Sequence, residues 1–299
     1  MEKIYLVGKN GIFPIAEAAN IDELFKKIVS GETMERGFGS FEVMEARRVV
    51  CFKLAEHLKR LFSNLKTCRI KIPYSADELS LFIANALENA GLEESILRLD
   101  VILGEEGEKE PLFLLIKIRP KKEKKPLALK TFEFSRTMPN LKVSGGYVYA
   151  QMTKRLFPDY DDVLYAARDD RGRYFMETSR GNFFAMLWFD TIGEISGKHI
   201  VYGAKSSSIL KGITRQTLLE ANSKFSGEFI FRDDKKIYYD DLKFVKEAFI
   251  TSSSNRIIPV RKIDDYVLDT VDDGRGGPIT RRLSILFDAY VDEYYRKNT

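Results

Sequence analysis

Hydrophobic positions in the first 120 residues are spaced as in helices in some segments and as in strands in others. Apolar residues between Phe52 and Leu65 recur at short, helix-compatible intervals, which predicts an amphipathic helix. A second helix is predicted after Ser75, because Glu78 three residues later completes a capping-box pattern. A third helix is predicted at Ile21–Ile28, and strands are predicted at Ile4–Val7, Ser40–Arg47, Ile96–Leu103 and Pro111–Ile118. This mixture predicts an α+β domain.

A short polar connection divides this part from the rest of the chain. The basic run from Lys121 to Lys125 lies between Pro120 and Pro126, which is typical of a solvated linker. We therefore predict an N-terminal α+β domain at residues 1–120, a linker at 121–128 and a second domain at 129–299. In the second domain, helices are predicted at Tyr147–Leu156, after Gly212 and at Pro278–Tyr295, and strands at Leu129–Phe134, Val163–Ala167, Arg173–Met176, Asn182–Phe189, Glu228–Phe231, Ala248–Thr251 and Ile257–Ile263.

Composition narrows the class of protein. The 299 residues are 44% hydrophobic and 31% charged, which is typical of a soluble globular chain. The net charge of +4 is too small to indicate nucleic-acid binding, and we expect no membrane span and no secretory leader. Cys51 and Cys68 match no metal spacing and are expected to be free thiols in the cytoplasm. With only His57 and His199 besides, we expect no metal site.

Four short segments carry the candidate chemistry. Lys142 is followed, after Val143, by the small residues Ser144, Gly145 and Gly146, which allow a backbone to approach a ligand closely. Glu177 lies five residues before Asn182. Gly212, Ile213 and Thr214 precede an amphipathic run, so the N–H groups of a helix terminus would face an anion there. Ser252, Ser253 and Ser254 follow an apolar strand and offer hydroxyls and backbone amides to an anion.

Each segment also has a plainer interpretation. Lys142 alone is typical of a surface lysine, and Glu177 with Asn182 of a strand end followed by a turn. Gly212–Thr214 alone suits an ordinary capped helix, and the serines a polar loop. The four segments in this order are similar to the fold-type IV aminotransferases, which depend on pyridoxal 5′-phosphate (PLP). That family contains branched-chain aminotransferase, D-amino acid aminotransferase and aminodeoxychorismate lyase. A fifth segment, His57 to Leu61, matches the family pattern His-x-x-Arg-Leu at Arg60.

The resemblance implies a fold and a set of roles. The family fold has a smaller N-terminal α+β domain, a larger β-barrel-type domain with helices, and a homodimeric unit. Lys142 would carry PLP covalently and act as the catalytic lysine, with Tyr147 at the phenolic oxygen and Glu177 at the pyridine nitrogen. Asn182 completes the family pattern after Glu177. The phosphate would be bound by Arg60, Gly212, Ile213, Thr214, Ser252 and Ser253, where Ser253 occupies the family's threonine position.

The resemblance also implies a reaction and a class of substrate. The implied reaction moves an amino group between an amino acid and a 2-oxo acid such as 2-oxoglutarate, with an L-branched-chain amino acid favoured. Phe41, Ser254 and the cations Arg36 and Arg98 are the candidate substrate contacts. Leu103 stands where D-amino acid aminotransferases carry the arginine of a carboxylate trap, which argues against D-amino acids. An aminodeoxychorismate lyase-like enzyme or another transaminase stays open, as does a PLP-fold protein without catalysis.

Overall fold

The computed structural model describes residues 2–8, 11–15, 26, 31–104, 113–123, 125–147, 151–152, 155–188, 198–268 and 276–298. Apart from Lys26, the helix predicted at Ile21–Ile28 lies outside these residues, and so do five residues of the helix predicted at Tyr147–Leu156. The chain divides into two compact units. The first unit comprises Met1–Lys122, Leu141–Val148 and Tyr294–Thr299, and the second comprises Glu123–Asn140 and Tyr149–Glu293. Within the described residues, no helix has the length and apolarity needed to cross a membrane.

The first unit is built on a six-stranded antiparallel sheet. Its elements in chain order are β1 (Lys3–Gly8), β2 (Gly11–Pro14), α1 (Glu32–Arg36), β3 (Ser40–Arg47), β4 (Val50–Cys51), α2 (Leu54–Thr67), α3 (Ala76–Ala90), β5 (Glu94–Ile102) and β6 (Phe113–Pro120). The strands lie in the order β2-β1-β6-β5-β3-β4. The helices predicted from Phe52 and after Ser75 are confirmed as α2 and α3.

Helices α2 and α3 pack on the sheet through one apolar core. Alternate residues of the central strands, such as Met44 and Leu97, are buried against helix residues such as Leu61 and Ile83. This alternation follows from the two-residue period of a strand, which directs successive side chains to opposite faces. The α3 terminus is closed by the predicted capping box, in which the Glu78 amide donates to Ser75 Oγ at 3.2 Å and the Ser75 amide donates to Glu78 Oε2 at 2.8 Å.

The second unit contains a nine-stranded sheet that closes on itself. Its elements are β7 (Leu127–Glu133), β8 (Asp162–Asp169), β9 (Gly172–Thr178), β10 (Asn182–Leu187), β11 (His199–Gly203), α4 (Ile213–Phe225), β12 (Phe229–Arg232), a 3₁₀ turn (Tyr239–Phe244), β13 (Val245–Ser252), β14 (Arg256–Ile263), β15 (Tyr266–Val267) and the part of α5 (Pro278–Asn298) that precedes Tyr294. The strand path runs β10-β13-β14-β7-β8-β9, and a pairing of β9 with β10 returns it to its start.

That closure makes the second unit a barrel, because the six strands form a ring without a free edge. The pairing that closes the ring joins Glu177 of β9 to Asn182 of β10. The barrel interior is apolar and includes Phe183, Ile250 and Leu164. The predicted fold class, an α+β domain together with a β-barrel-type domain, is therefore confirmed. Glu177 and Asn182, which were both singled out from the sequence, lie where the barrel closes.

Candidate active site

Lys142 lies in the first unit, in a turn that is anchored to the start of β3. The amide of Ser144 donates to the carbonyl of Gly39 at 2.8 Å, and Ser40 Oγ donates to the carbonyl of Lys142 at 3.0 Å. A 3₁₀ turn then runs from Ser144 to Tyr147. These bonds fix the backbone on both sides of the lysine, so its side chain is presented from a rigid position.

Two glycines allow this anchoring. The amide of Gly145 donates to the carbonyl of Gly37 at 2.6 Å, and Gly37 has a φ of 69°. A Cβ atom on Gly37 would stand 2.8 Å from the Cα of Gly145, closer than side chains tolerate. Glycine is therefore required at Gly37 by both its backbone conformation and its contact.

The amine of Lys142 is buried beside a carboxylate. The residue is 8% exposed, and its Nζ lies 3.7 Å from Oε2 of Glu42 on β3. Burial lowers the pKa of Lys142 to about 8, and the negative charge of Glu42 only partly opposes that effect. The neutral amine is therefore much more abundant near pH 7 than that of an ordinary lysine. Such an amine can form a covalent bond with a carbonyl group and can exchange protons.

Glu42 is bonded on its other sides by α2. Arg60 donates from Nε to Oε1 at 2.7 Å and from Nη2 to Oε2 at 2.6 Å. His57 Nδ1 lies 2.8 Å from Oε2. Burial lowers the pKa of His57 despite the carboxylate, so the imidazole is neutral and its Nδ1–H is the donor. The sequence singled out Arg60 and left Glu42 without a role.

An aromatic pair lies beside the lysine. The rings of Phe41 and Tyr147 meet edge to face, with centroids 5.0 Å apart. Lys142 Nζ is 5.3 Å from the centre of the Phe41 ring, and the guanidinium of Arg98 lies over the same ring at 4.0 Å. The structure thus brings together five of the predicted residues of the first unit, namely Phe41, Arg60, Arg98, Lys142 and Tyr147.

The two candidate substrate cations differ in their surroundings. Arg98 is paired with Asp100, which accepts from Nε at 2.8 and 3.0 Å and from Nη2 at 2.7 Å. The Nζ atom of Lys117 lies 3.1 Å from Oδ2 of Asp100. Arg36 ends α1 with an exposed side chain. The carboxylate of Asp100 therefore balances the positive charge of Arg98.

In the second unit, Glu177 is a buried carboxylate at the end of β9. Arg136 donates to Oε1 from Nε at 2.9 Å and from Nη2 at 2.5 Å, while the amide of Leu210 donates to Oε2 at 3.2 Å. Burial raises the pKa of Glu177, and Arg136 and the Leu210 amide oppose that rise. The sequence offered no signal for Arg136, which is 41 positions from Glu177.

Asn182 connects this carboxylate to the start of α4. Its side-chain amide donates to the carbonyl of Leu210 at 2.9 Å and lies 3.5 Å from Glu177 Oε2. Its Oδ1 faces Gly212, where any Cβ atom would overlap it. Helix α4 begins at Ile213 with Gly212 as its N-cap, and no side chain caps it. The N–H groups of that first turn are therefore available to an anion, and Thr214 lies buried beside them.

The serine segment begins with Ser252, the last residue of β13, at the same end of the barrel. Ser252 is buried, and its Oγ lies 3.5 Å from that of Ser254. Thr251 is paired with Asn182 across the ladder, so their side chains share a face. The buried Thr251 hydroxyl has no hydrogen-bond partner among the described residues. The structure thus groups Glu177, Asn182, Gly212–Thr214 and Ser252–Ser254 in the second unit.

The first unit thus holds a buried lysine that readily loses its proton, and the second holds a buried carboxylate and an uncapped helix terminus. A PLP enzyme needs all three of these features. The sequence model of the class IV aminotransferases matches residues 39–263, and the chain belongs to that family. It is therefore a PLP-dependent aminotransferase. It is 25% identical to a branched-chain-amino-acid aminotransferase of Pseudomonas aeruginosa, over 87% of this chain and 85% of that protein.

Two further comparisons agree with the family. A D-alanine aminotransferase of Staphylococcus aureus is 23% identical over 98% of this chain and 99% of its own length. The crystal structure of the branched-chain aminotransferase from the archaeon Thermoproteus uzoniensis with norvaline superposes with a TM-score of 0.75 at 22% identity. That superposition covers 97% of this chain and 94% of the other.

The residues present fit the cofactor. The buried Thr251 hydroxyl, on the face that it shares with Asn182, has no hydrogen-bond partner among the described residues, so a polar group there is ready to bind a ligand. In the second unit, the α4 amides and the serines suit a phosphate dianion, and the carboxylate of Glu177 suits a protonated ring nitrogen. In the first unit, the amine of Lys142 suits an aldehyde.

Proposed function

We propose that the protein transfers the amino group of an L-branched-chain amino acid to a 2-oxo acid such as 2-oxoglutarate. The observation that carries this proposal is the aromatic pair of Phe41 and Tyr147 beside the amine of Lys142. The Phe41 ring next to the reacting amine, packed edge to face on Tyr147, favours an aliphatic side chain over a charged one. The names of the relatives from Pseudomonas aeruginosa and Thermoproteus uzoniensis support the same choice.

Lys142 is the proposed catalytic residue. In its neutral form, Nζ removes the proton from Cα of the substrate, and in its charged form it returns a proton. A pKa of about 8 keeps both forms accessible near neutral pH. Bound PLP supplies the electron sink that makes the Cα proton removable.

The other residues hold the cofactor. The carboxylate of Glu177 holds a proton on the pyridine nitrogen, with Arg136 and Asn182 fixing the carboxylate in place. Arg60, the amides of Gly212–Thr214 and the hydroxyls of Ser252 and Ser253 are the proposed ligands of the PLP phosphate. Tyr147 is proposed to contact the phenolic oxygen of PLP. Ser254, Arg36 and Arg98 are assigned to the substrate, with Arg98 acting as a pair with Asp100.

A D-amino acid substrate is the less favoured alternative, although one relative is a D-alanine aminotransferase. Leu103 is a buried apolar residue at the position of the trap arginine. His57 is bonded to Glu42 and is 2% exposed, so it cannot bind a substrate carboxylate. The first unit thus lacks, among its described residues, the polar set that this alternative needs.

The assembly and location are part of the proposal. We propose a cytoplasmic homodimer, because the family fold is dimeric and because Cys51 and Cys68 are both free thiols. Light scattering coupled to size-exclusion chromatography tests the dimer. A molar mass near 34.4 kDa, that of a single chain, would contradict it.

An amino-donor screen tests the substrate. The holoenzyme is mixed with L-leucine, L-glutamate, D-alanine or an aromatic L-amino acid, and the change in cofactor absorbance is followed. The proposal expects the largest rate constant for L-leucine and no change with Lys142→Ala. A faster reaction with D-alanine favours the D-amino acid alternative, and pyruvate release from aminodeoxychorismate favours the lyase. A protein that binds PLP without reacting with any donor would favour a non-catalytic role.

A further inference from the structure

Glu42 is a buried charge for which the transamination described above has no use. Its carboxylate is 0% exposed and lies on β3. Removing a carboxylate from water is costly unless several groups compensate for the lost hydration. Here Arg60 supplies two hydrogen bonds and His57 supplies one, so the carboxylate is held from two positions of one helix.

The carboxylate is directed at one further group, the amine of Lys142 at 3.7 Å. Among the residues that the structure describes, the charged and titratable groups that act on this amine are Glu42, Arg60, Arg98 and His57. Arg60 and Arg98 disfavour a positive charge on the amine of Lys142, whereas Glu42 favours it. Burial alone would raise the pKa of Glu42, but Lys142 and Arg60 hold it well below the usual range, so Glu42 stays ionised at working pH.

We propose that Glu42 is a positioning residue of the reaction, whose carboxylate, fixed by Arg60 and His57, supplies the permanent negative charge beside the amine of Lys142. The amine must accept the Cα proton and later release it, which is most effective when its proton affinity lies near the operating pH. Burial and two arginines act together to lower that affinity. The negative charge of Glu42 opposes this lowering, so the amine of Lys142 can still hold a proton.

The inference rests on the proposed role of Lys142, and its test needs no turnover. Apo-enzyme is treated with the amine reagent trinitrobenzenesulfonate over a range of pH, and modification of Lys142 is quantified by peptide mass spectrometry. The wild type should show a midpoint near the Lys142 pKa of about 8. In Glu42→Gln the midpoint should move to lower pH by on the order of one unit, because the favourable charge is lost.

Glu45→Gln is the matched control. Glu45 lies on the same strand, is 3% exposed, and pairs with Lys121 at 3.1 Å. Its odd offset from Glu42 places it on the opposite face of the sheet. The same substitution there should leave the Lys142 midpoint unchanged. An equal shift in both variants would overturn the proposal, since it would show a general effect of disturbing β3.

Glu42→Asp guards against a variant that fails to fold. Its charge is retained but withdrawn by one methylene, so the midpoint should fall between those of the wild type and Glu42→Gln. An unchanged midpoint in either Glu42 variant would overturn the proposal. Borohydride reduction of the wild-type holoenzyme separates the two claims. A cofactor attached elsewhere than Lys142 refutes the proposed function, whereas attachment at Lys142 with unshifted midpoints refutes only the role of Glu42.

Discussion

Arg136 donates two hydrogen bonds to a single carboxylate oxygen of Glu177, from Nε at 2.9 Å and from Nη2 at 2.5 Å. Burial raises the pKa of Glu177, and the charge of Arg136 is the largest of the interactions that oppose this rise. In the proposed function, the carboxylate must stay ionised to hold a proton on the pyridine nitrogen. The activity of the enzyme at acidic pH should therefore depend on Arg136.

Arg136→Met should move the acidic limb of the pH–rate profile to higher pH. The sign follows from linkage: without Arg136 the pKa of Glu177 rises further, so the carboxylate is protonated sooner as the pH falls. The profile of kcat/KM is measured for wild type and variant. Arg168→Met is the control, because Arg168 forms an exposed pair with Glu133 in the same unit. Superimposable acidic limbs for Arg136→Met and wild type would remove Arg136 from this role.

Glu177→Gln should retain PLP but slow the proton-transfer step. A neutral amide cannot hold the ring nitrogen protonated, which should cost several kcal/mol in the activation barrier. Single-turnover rates with L-leucine measure the effect, and a loss of at least about 100-fold is expected. Glu133→Gln, a substitution at an exposed carboxylate of β7, should leave the rate unchanged. A Glu177→Gln rate within about twofold of wild type would exclude the proposed role.

Arg60→Ala should weaken PLP retention more than turnover at saturating cofactor. Losing a charge-assisted contact with the phosphate costs on the order of 2–3 kcal/mol, so affinity should fall by roughly 30–150-fold. The dissociation constant is obtained by titrating apo-enzyme with PLP. Lys59→Ala provides the control, since Lys59 is exposed on the same helix. Equal constants for Arg60→Ala and wild type would mean that Arg60 serves Glu42 alone.

Gly212→Ala should disturb the site through sterics alone. Gly212 has a φ of −66°, which any residue adopts, but a Cβ atom there overlaps Oδ1 of Asn182. Overpacking of this kind costs about 1–3 kcal/mol, and displacement of Asn182 should also weaken PLP binding. Thermal unfolding and PLP titration measure both effects. Gly146→Ala should be tolerated, because the nearest atom to its Cβ is 3.8 Å away on Val143. Equal behaviour of the two variants would contradict this geometry.

Local patterns predicted the long elements well. The strand predicted at Ser40–Arg47 has those bounds as β3, and the helix predicted from Phe52 is α2, which begins at Leu54 and ends at Thr67. Short elements were missed, among them β2 at Gly11–Pro14 and β11 at His199–Gly203. Each is held by pairing with a neighbouring strand rather than by its own periodicity, so its apolar pattern is too short to predict it.

The site was predictable only where a motif marked it. The class IV motifs located Lys142, Glu177 and the α4 terminus, and the family is confirmed. The individual roles of these residues stay predictions. Glu42 and Arg136 were not recognised, because each acts through a partner distant in sequence, at separations of 18 and 41 positions. Glu42 meets Arg60 where α2 packs on β3, and Arg136 reaches Glu177 from the segment that follows β7, so no local spacing encodes either contact.

Borohydride reduction of the holoenzyme, followed by peptide mass mapping, tests the central claim most directly. Reduction converts the covalent link between the cofactor and its lysine into a stable amine bond, so the modified peptide identifies the lysine. The account predicts a pyridoxyl-phosphate adduct on Lys142 in the wild type and none in Lys142→Ala. An adduct on any other lysine of the wild type, or no adduct at all, would contradict it.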